Sequence, residues 1–143
     1  MERAITISCN AYFAQMGVYE VGASALKETA ELLDLQPGEL ADLKQMLPFA
    51  AYGQGPVLVT PFKMARVAAT IAAGGAMAQG RWVVDESNVR AEQPLKIISE
   101  ESATVLARAM RGVVTSGTGR RSFAKLDISV AGKTGTAQMG VLH

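Results

Sequence analysis

The sequence predicts an α+β fold in which a cluster of helices packs on a glycine-interrupted strand. Three observations carry the prediction. Helix starts are marked by capping residues at Thr60-Pro61 and at Ser99-Glu100-Glu101. The residues behind each start are apolar at helical spacing. From Asp127 onward the period shortens to Ile128 and Val130, followed by Gly-Lys-Thr-Gly-Thr, a strand pattern broken by glycines.

Asn10 to Met16 reads as a short helix with Tyr12, Phe13 and Met16 available for packing and Gly17 as its left-handed terminator. This puts Ser8 and Asn10 at a loop-to-helix junction. A second helix is expected from Ala25 to Asp34, capped by Ser24, with Leu26, Ala30 and Leu33 as its stripe, and Pro37-Gly38 then turns the chain. Behind Thr60, Met64, Val67, Ala68 and Ile71 repeat at i, i+3, i+4 and i+7, small residues fill the other faces, and Gly74-Gly75 ends the element, the pattern of a buried central helix. Trp82 to Val84 reads as a short strand. The helix from Ser99 presents Leu106, Ala109, Met110 and Val113 and stops at Ser116-Gly117-Thr118-Gly119, read as a flexible loop.

Composition removes several classes of function. The chain has 143 residues, 49% hydrophobic and 19% charged, which suits one globular domain that buries roughly two thirds of its unfolded surface. A net charge of +1, with both signs scattered, gives no footprint for nucleic acid. With Cys9 the only cysteine and His143 the only histidine, no zinc cluster, disulfide framework or Cys-His pair can be built, so neither metal nor cofactor is expected. Chemistry has to run on Ser, Lys, Thr, Asn and backbone groups. No apolar run reaches the roughly 18 to 20 residues of a membrane span, and no export signal opens the chain.

Lys133-Thr134-Gly135, continued by Thr136, is the most specific motif, and Ser8-Cys9-Asn10 lies upstream of it at a helix entry. Each has an ordinary reading: Ser8 and Asn10 as helix caps, Lys133 and Thr134 as polar residues on a strand edge, Cys9 as a buried inert thiol. A phosphate-loop reading of Gly132-Lys133-Thr134 fails because its first glycine would fall at Asp127. Taken together, and in this order, the motifs resemble the Ser-x-Asn and Lys-Thr-Gly elements of penicillin-binding proteins and serine β-lactamases. Tyr52-Gly53-Gln54-Gly55, Val59-Thr60-Pro61 and Val113 to Gly119 extend the resemblance over nearly the whole chain and favour the class B transpeptidases.

The resemblance implies that residues 1–143 form the C-terminal portion of a penicillin-binding transpeptidase domain, with an antiparallel sheet, incomplete here, behind the site. It implies a serine acyl-enzyme formed on the D-Ala-D-Ala end of a peptidoglycan stem peptide and passed to an amine, with β-lactams acylating the same serine. Ser8 would relay a proton, and Lys133 would supply positive potential toward the substrate carboxylate and Ser8. Asn10 would hydrogen-bond the acyl-donor amide, and Thr134 would bind the carboxylate. Gly135 would keep the strand edge open, and the backbone N–H of Thr136 would form one arm of an oxyanion hole. The parent protein would act at the periplasmic face of the bacterial inner membrane, anchored by a segment outside this chain. The family's Ser-x-x-Lys nucleophile motif should precede Ser8 and does not; Ser24 to Lys27 and Ser122 to Lys125 match it in the wrong order. The isolated chain is therefore expected not to turn over substrate, to need the missing N-terminal part of the domain, and to self-associate through exposed core. The alternative is a non-catalytic module of the same fold that binds peptidoglycan or a protein partner.

Overall fold

The structure, a computed structural model, describes residues 1–81 and 93–135. Helices dominate: α1 (Glu2–Thr6), α2 (Asn10–Met16), a π-helical segment (Gly17–Val21), α3 (Gly22–Leu32), α4 (Leu40–Gln45), α5 (Leu47–Ala50), α6 (Pro61–Ala72), α7 (Glu100–Thr115) and α8 (Arg120–Phe123). Two short strands, β1 (Ala76–Met77) and β2 (Leu95–Lys96), pair antiparallel with Ala76 opposite Lys96 and Met77 opposite Leu95. The expected strand at Trp82 to Val84 lies outside the described residues.

The cap signals behave as local chemistry requires. The Thr60 hydroxyl accepts from the Lys63 N–H at 3.3 Å with Pro61 in the first turn, and the Ser99 hydroxyl accepts from the Ser102 N–H at 3.0 Å. Gly74, at φ +65°, is the left-handed residue that ends α6, with its own N–H on Ile71 O and that of Gly75 on Thr70 O.

The core is divided. Ile5 of α1 packs on Ala109 and Val113 of α7, with Phe13 and Leu106 against them. A second cluster joins Ala23, Leu43 and Ala50, flanked by Leu26, Leu40, Leu47 and Val57. The first cluster presses the end of α1 into the end of α7. A Cβ added at Gly117 would stand 2.1 Å from Thr6 O, and the Thr118 N–H bonds that same carbonyl at 3.3 Å. Gly117→Ala is accordingly expected to destabilise the fold by about 1–3 kcal/mol, the range for overpacking against something that cannot yield. Urea unfolding of the variant checks this.

Several expectations are corrected. Gly17 has φ −61° and is not a left-handed terminator; the helix runs on through the π segment and the break comes at Gly22, φ +77°. Gly17 is glycine for space, because its Cβ would lie 2.4 Å from that of Ala51. The helix expected over Ala25 to Asp34 occupies Gly22–Leu32, with Ser24 inside it rather than capping it. Helix α6 is not buried all round. Thr70 is 1% exposed, yet Met64 is 50% exposed and Ala65, Ala68, Ala69 and Ala72 also face outward, since α7 and β1 cover only one side.

The segment around Lys133 forms no strand among the described residues. A strand is defined by its ladder, and here Gly132 N–H bonds Met110 O at 3.2 Å and Arg111 Nη1 donates to Val130 O at 2.7 Å, so α7 takes the contacts a strand partner would make. Residues 116–119 are a tight turn rather than a loose loop: Gly117 N–H bonds Gly112 O and Gly119 N–H bonds Val113 O, both at 2.9 Å.

Candidate active site

The site is built on the end of α1. The Ser8 N–H bonds Ile5 O at 3.2 Å and the Cys9 N–H bonds Ala4 O at 2.9 Å, the paired bonds of a Schellman turn with Ser8 in its left-handed position. Ser8 has φ +54°, a conformation that disfavours an L side chain by about 1–2 kcal/mol. Neither Ser8 nor Asn10 caps α2: Cys9 is the N-cap and makes no side-chain bond, while Asn10 is the first helical residue. The capping reading of these two residues is thereby corrected, since the turn geometry sends the Ser8 hydroxyl elsewhere.

That hydroxyl meets Lys133. Lys133 Nζ lies 2.6 Å from Ser8 Oγ and 2.8 Å from Thr134 O. Thr134 Oγ1 lies 2.7 Å from Thr118 Oγ1 in the turn after α7. These side chains line an open cavity of about 720 Å³ together with Ile7, Asn10, Phe13, Ala51, Tyr52 and Gly135. The structure therefore brings together Ser8, Asn10, Lys133, Thr134 and Gly135. Thr136 lies outside the described residues. Ser24, Lys27, Ser122 and Lys125 do not line the cavity; Lys27 pairs with Glu31 at 2.9 Å instead.

Among the described residues that line it there is no carboxylate, and Lys133 is the one charged group. Partial burial, which penalises the charged ammonium, pushes its pKa below the ordinary lysine value. A cation bonded only to neutral oxygens among the described residues favours an anionic ligand. The hydroxyl pair adds direction. A carboxylate only accepts, so a carboxylate bound to Thr134 obliges Thr134 to donate to it and Thr118 to donate to Thr134.

Gly132 and Gly135 differ from the packing glycines, because a Cβ at either would meet nothing within 4 Å among the described residues. At Gly135 the fold leaves open the space a ligand backbone needs. Thr118 and Tyr52 were not singled out from the sequence, although both lie in the stretches, Val113 to Gly119 and Tyr52 to Gly55, that carry the family resemblance. Among the described residues no group of His, Cys, Asp and Glu could hold a metal.

Ser8→Gly is expected to raise folding stability by up to about 1 kcal/mol, since glycine suits the left-handed position, and to abolish the hydroxyl contact to Lys133. A higher denaturant midpoint accompanied by weaker ligand binding is the result that bears this out.

The family model for the penicillin binding protein transpeptidase domain matches residues 1–142. Stage V sporulation protein D of Bacillus subtilis is 30% identical over 154 residues, covering 92% of this chain and 24% of its own length. The peptidoglycan D,D-transpeptidase PbpA of Mycolicibacterium smegmatis is 29% identical over 163 residues, covering 98% of this chain and 32% of its own. The crystal structure of PBPA from Mycobacterium tuberculosis superposes with a TM-score of 0.81 at 27% identity, over 98% of this chain and 38% of that one. The D,D-transpeptidase domain of a peptidoglycan glycosyltransferase from Eggerthella lenta gives 0.78 at 28% identity, over 98% of this chain and 42% of that one.

Proposed function

Because this chain belongs to the penicillin binding protein transpeptidase domain family, we propose that it supplies the Ser-x-Asn and Lys-Thr-Gly walls of a D,D-transpeptidase site that cross-links peptidoglycan stem peptides through a serine acyl-enzyme and takes β-lactams as substrate mimics. The observation that carries the reading is the 2.6 Å contact between Lys133 Nζ and Ser8 Oγ, two motif residues from opposite ends of the sequence meeting across one cavity.

In this reading Lys133 and Ser8 pass a proton to and from a serine nucleophile on a Ser-x-x-Lys segment that these 143 residues do not place before Ser8. The donor's terminal carboxylate binds Thr134, backed by Thr118 and by the charge of Lys133. Asn10 meets the donor amide, Gly135 leaves room for its backbone, and the Thr136 N–H is one oxyanion donor. The PbpA relative is by its name a peptidoglycan D,D-transpeptidase, which supports an extracytoplasmic site of action; the finer assignment, the periplasmic face of an inner membrane with an anchor elsewhere in the parent protein, is part of the proposal. The described helices include none long and apolar enough to cross a membrane.

The test is ¹⁵N NMR titration of the folded chain with an N-acylated D-Ala-D-Ala peptide and with its C-terminal amide. A charge-assisted hydrogen bond contributes about 1.5–3 kcal/mol, so the acid should bind about tenfold or more tighter than the amide and shift the signals of Asn10, Lys133 and Thr134. Equal affinity for acid and amide would sink the carboxylate assignment. Gly135→Ala sharpens it: the melting temperature should stay within about a degree of wild type, because the added methyl touches nothing among the described residues, while peptide affinity falls several-fold.

A further inference from the structure

We propose that the basic segment leaving the turn of Thr118, with Arg120, Arg121 and Lys125, gathers anionic peptides at the mouth of the cavity and so sets how fast a carboxylate-terminated ligand reaches Thr134. The inference rests on the reading of the cavity as an acyl-donor site, and it gives ligand capture to residues that neither motif contains.

The charge of the chain is balanced as a whole and divided along its length. From Arg108 to Gly135 there are six basic residues and one acid, Asp127, whereas from Glu20 to Asp42 there are six acids and one base, Lys27. Pairing sharpens the division. Among the described residues Lys27 pairs with Glu31, Lys63 and Arg66 with Asp34, and Arg108 with Glu2, which leaves Arg111, Arg120, Arg121, Lys125 and Lys133 without a carboxylate partner there. Arg111 donates to Val130 O, and Lys133 to Ser8 Oγ and Thr134 O, so their bonds to neutral oxygens leave the charge in place. Arg120, Arg121 and Lys125 stand exposed to solvent.

The fold sets the three exposed cations beside the carboxylate end of the cavity. Thr118 lines that cavity with its hydroxyl on Thr134. The chain then leaves it in tight turns: the Arg120 N–H bonds Gly117 O at 3.2 Å, the Ser122 N–H bonds Gly119 O at 3.1 Å and the Leu126 N–H bonds Phe123 O at 3.2 Å, with α8 against α7. Helical turns advance about 1.5–2 Å per residue, so the backbone of Lys125 stands about 10–14 Å from Thr118, and Arg120 and Arg121 stand nearer. That range matches a Debye length of about 10 Å at 0.1 M salt and lies well inside the length of about 30 Å at 0.01 M. None of the acids from Glu20 to Asp42 lines the cavity.

Charges at this distance act before docking. A mouth ringed by one sign raises the local concentration of ligands of the other sign and their on-rate, while the off-rate is left to the groups in contact, here Thr134, Thr118 and Asn10.

The experiment has two arms on the folded chain, wild type and the triple variant Arg120→Gln, Arg121→Gln and Lys125→Gln, with a melting curve on each. The first arm reads the field without any peptide, from paramagnetic relaxation of amide protons by a carboxylate-bearing and an ammonium-bearing nitroxide of equal size. The anionic probe should relax Thr118 and Gly135 more strongly than the cationic one, Glu28 and Glu31 should show the reverse, and the triple variant should lose the preference at Thr118 and Gly135. The second arm is line-shape analysis of the D-Ala-D-Ala titration. At about 10 mM salt the variant's on-rate for the acid should fall about three- to tenfold with its off-rate unchanged, the pattern of lost steering. At about 0.5 M salt the two proteins should agree. The C-terminal amide, which carries no charge to steer, should not distinguish them, and Lys44→Gln on α4 should bind the acid as wild type does.

A wild type with no anion preference at Thr118 and Gly135 overturns the proposal. So does an unchanged on-rate at low salt, or a loss that sits in the off-rate or survives high salt. A field that is present while acid and amide bind alike overturns the carboxylate reading itself, so failure of the steering and failure of the site assignment give different results.

Discussion

Leu43→Ala is expected to lower folding stability by about 2–5 kcal/mol, the range for deleting a fully enclosed leucine. Leu43 is 0% exposed and forms the centre of the cluster that joins Ala23 of α3 to Ala50 of α5, with Leu26, Leu40, Leu47 and Val57 around it. Its neighbours include two alanines whose short side chains cannot swing into the space it would vacate, so the loss should fall in the upper half of that range. Domains of this size have only about 5–15 kcal/mol in total, which makes one substitution a large fraction of the whole. The consequence reaches the site, since Ala51 and Tyr52 line the cavity immediately after α5. A urea melt followed by tryptophan-independent circular dichroism measures the effect, and a change below about 1 kcal/mol would show that the second cluster is not a core.

Lys133→Met should reduce affinity for a carboxylate-terminated peptide by about tenfold to a hundredfold, from loss of a charge-assisted interaction of about 1.5–3 kcal/mol. The pH dependence follows from the direction of the shift. Burial lowers the folded pKa of Lys133, so the ammonium, and the anion affinity it brings, is complete at low pH and is lost as pH rises through that lowered value. The stability effect has the opposite sense. Holding a charged Lys133 partly desolvated opposes folding below its folded pKa, and that opposition is relieved as pH climbs from there toward the unfolded lysine value. Isothermal titration at several pH values should therefore show binding weaken at alkaline pH in wild type and stay flat in the variant. A pH-independent wild type would remove Lys133 from anion recognition.

What could be read from the sequence was what short-range chemistry writes down. Asn10 to Met16 was legible to the residue, and Thr60 and Ser99 cap as their side chains dictate. The helix α6 pattern was read correctly for period and wrongly for burial, because an apolar face records what a helix is suited to cover and not what lies against it here. Strand character at Lys133 failed for a related reason: pairing belongs to two segments, and only one was visible.

The most informative miss concerns helix ends. Both α1 and α3 close in Schellman turns whose left-handed residue is not glycine: Ser8 at φ +54° and Asp34 at φ +57°. The usual punctuation mark was absent: α1 was not read at all, and the end of α3 was set at Asp34, two residues past Leu32. In each case the disfavoured residue carries a polar group to a distant cation. Ser8 meets Lys133, and Asp34 meets Lys63 at 3.1 Å and Arg66 at 2.6 Å, which hold its carboxyl below the usual carboxylate range. Glycine would relax either turn and leave the cation without its partner, which gives the local strain a physical reason. The candidate site was legible through motif order and family resemblance, whereas Thr118 became visible only when its hydroxyl was seen against Thr134.

The Thr6 carbonyl accepts from Thr118 and would be crowded by any side chain at Gly117, and it stands two residues ahead of Ser8. One turn of backbone thus acts as a common fulcrum for both rims of the cavity, the serine rim and the threonine rim. Substitutions on the two rims should consequently fail to add, and a lesion on one is best rescued by a change on the other. Suppressor mutations of Gly117→Ala are therefore to be sought around Thr6 and Ser8, far away in the chain but on the opposite arm of the same lever.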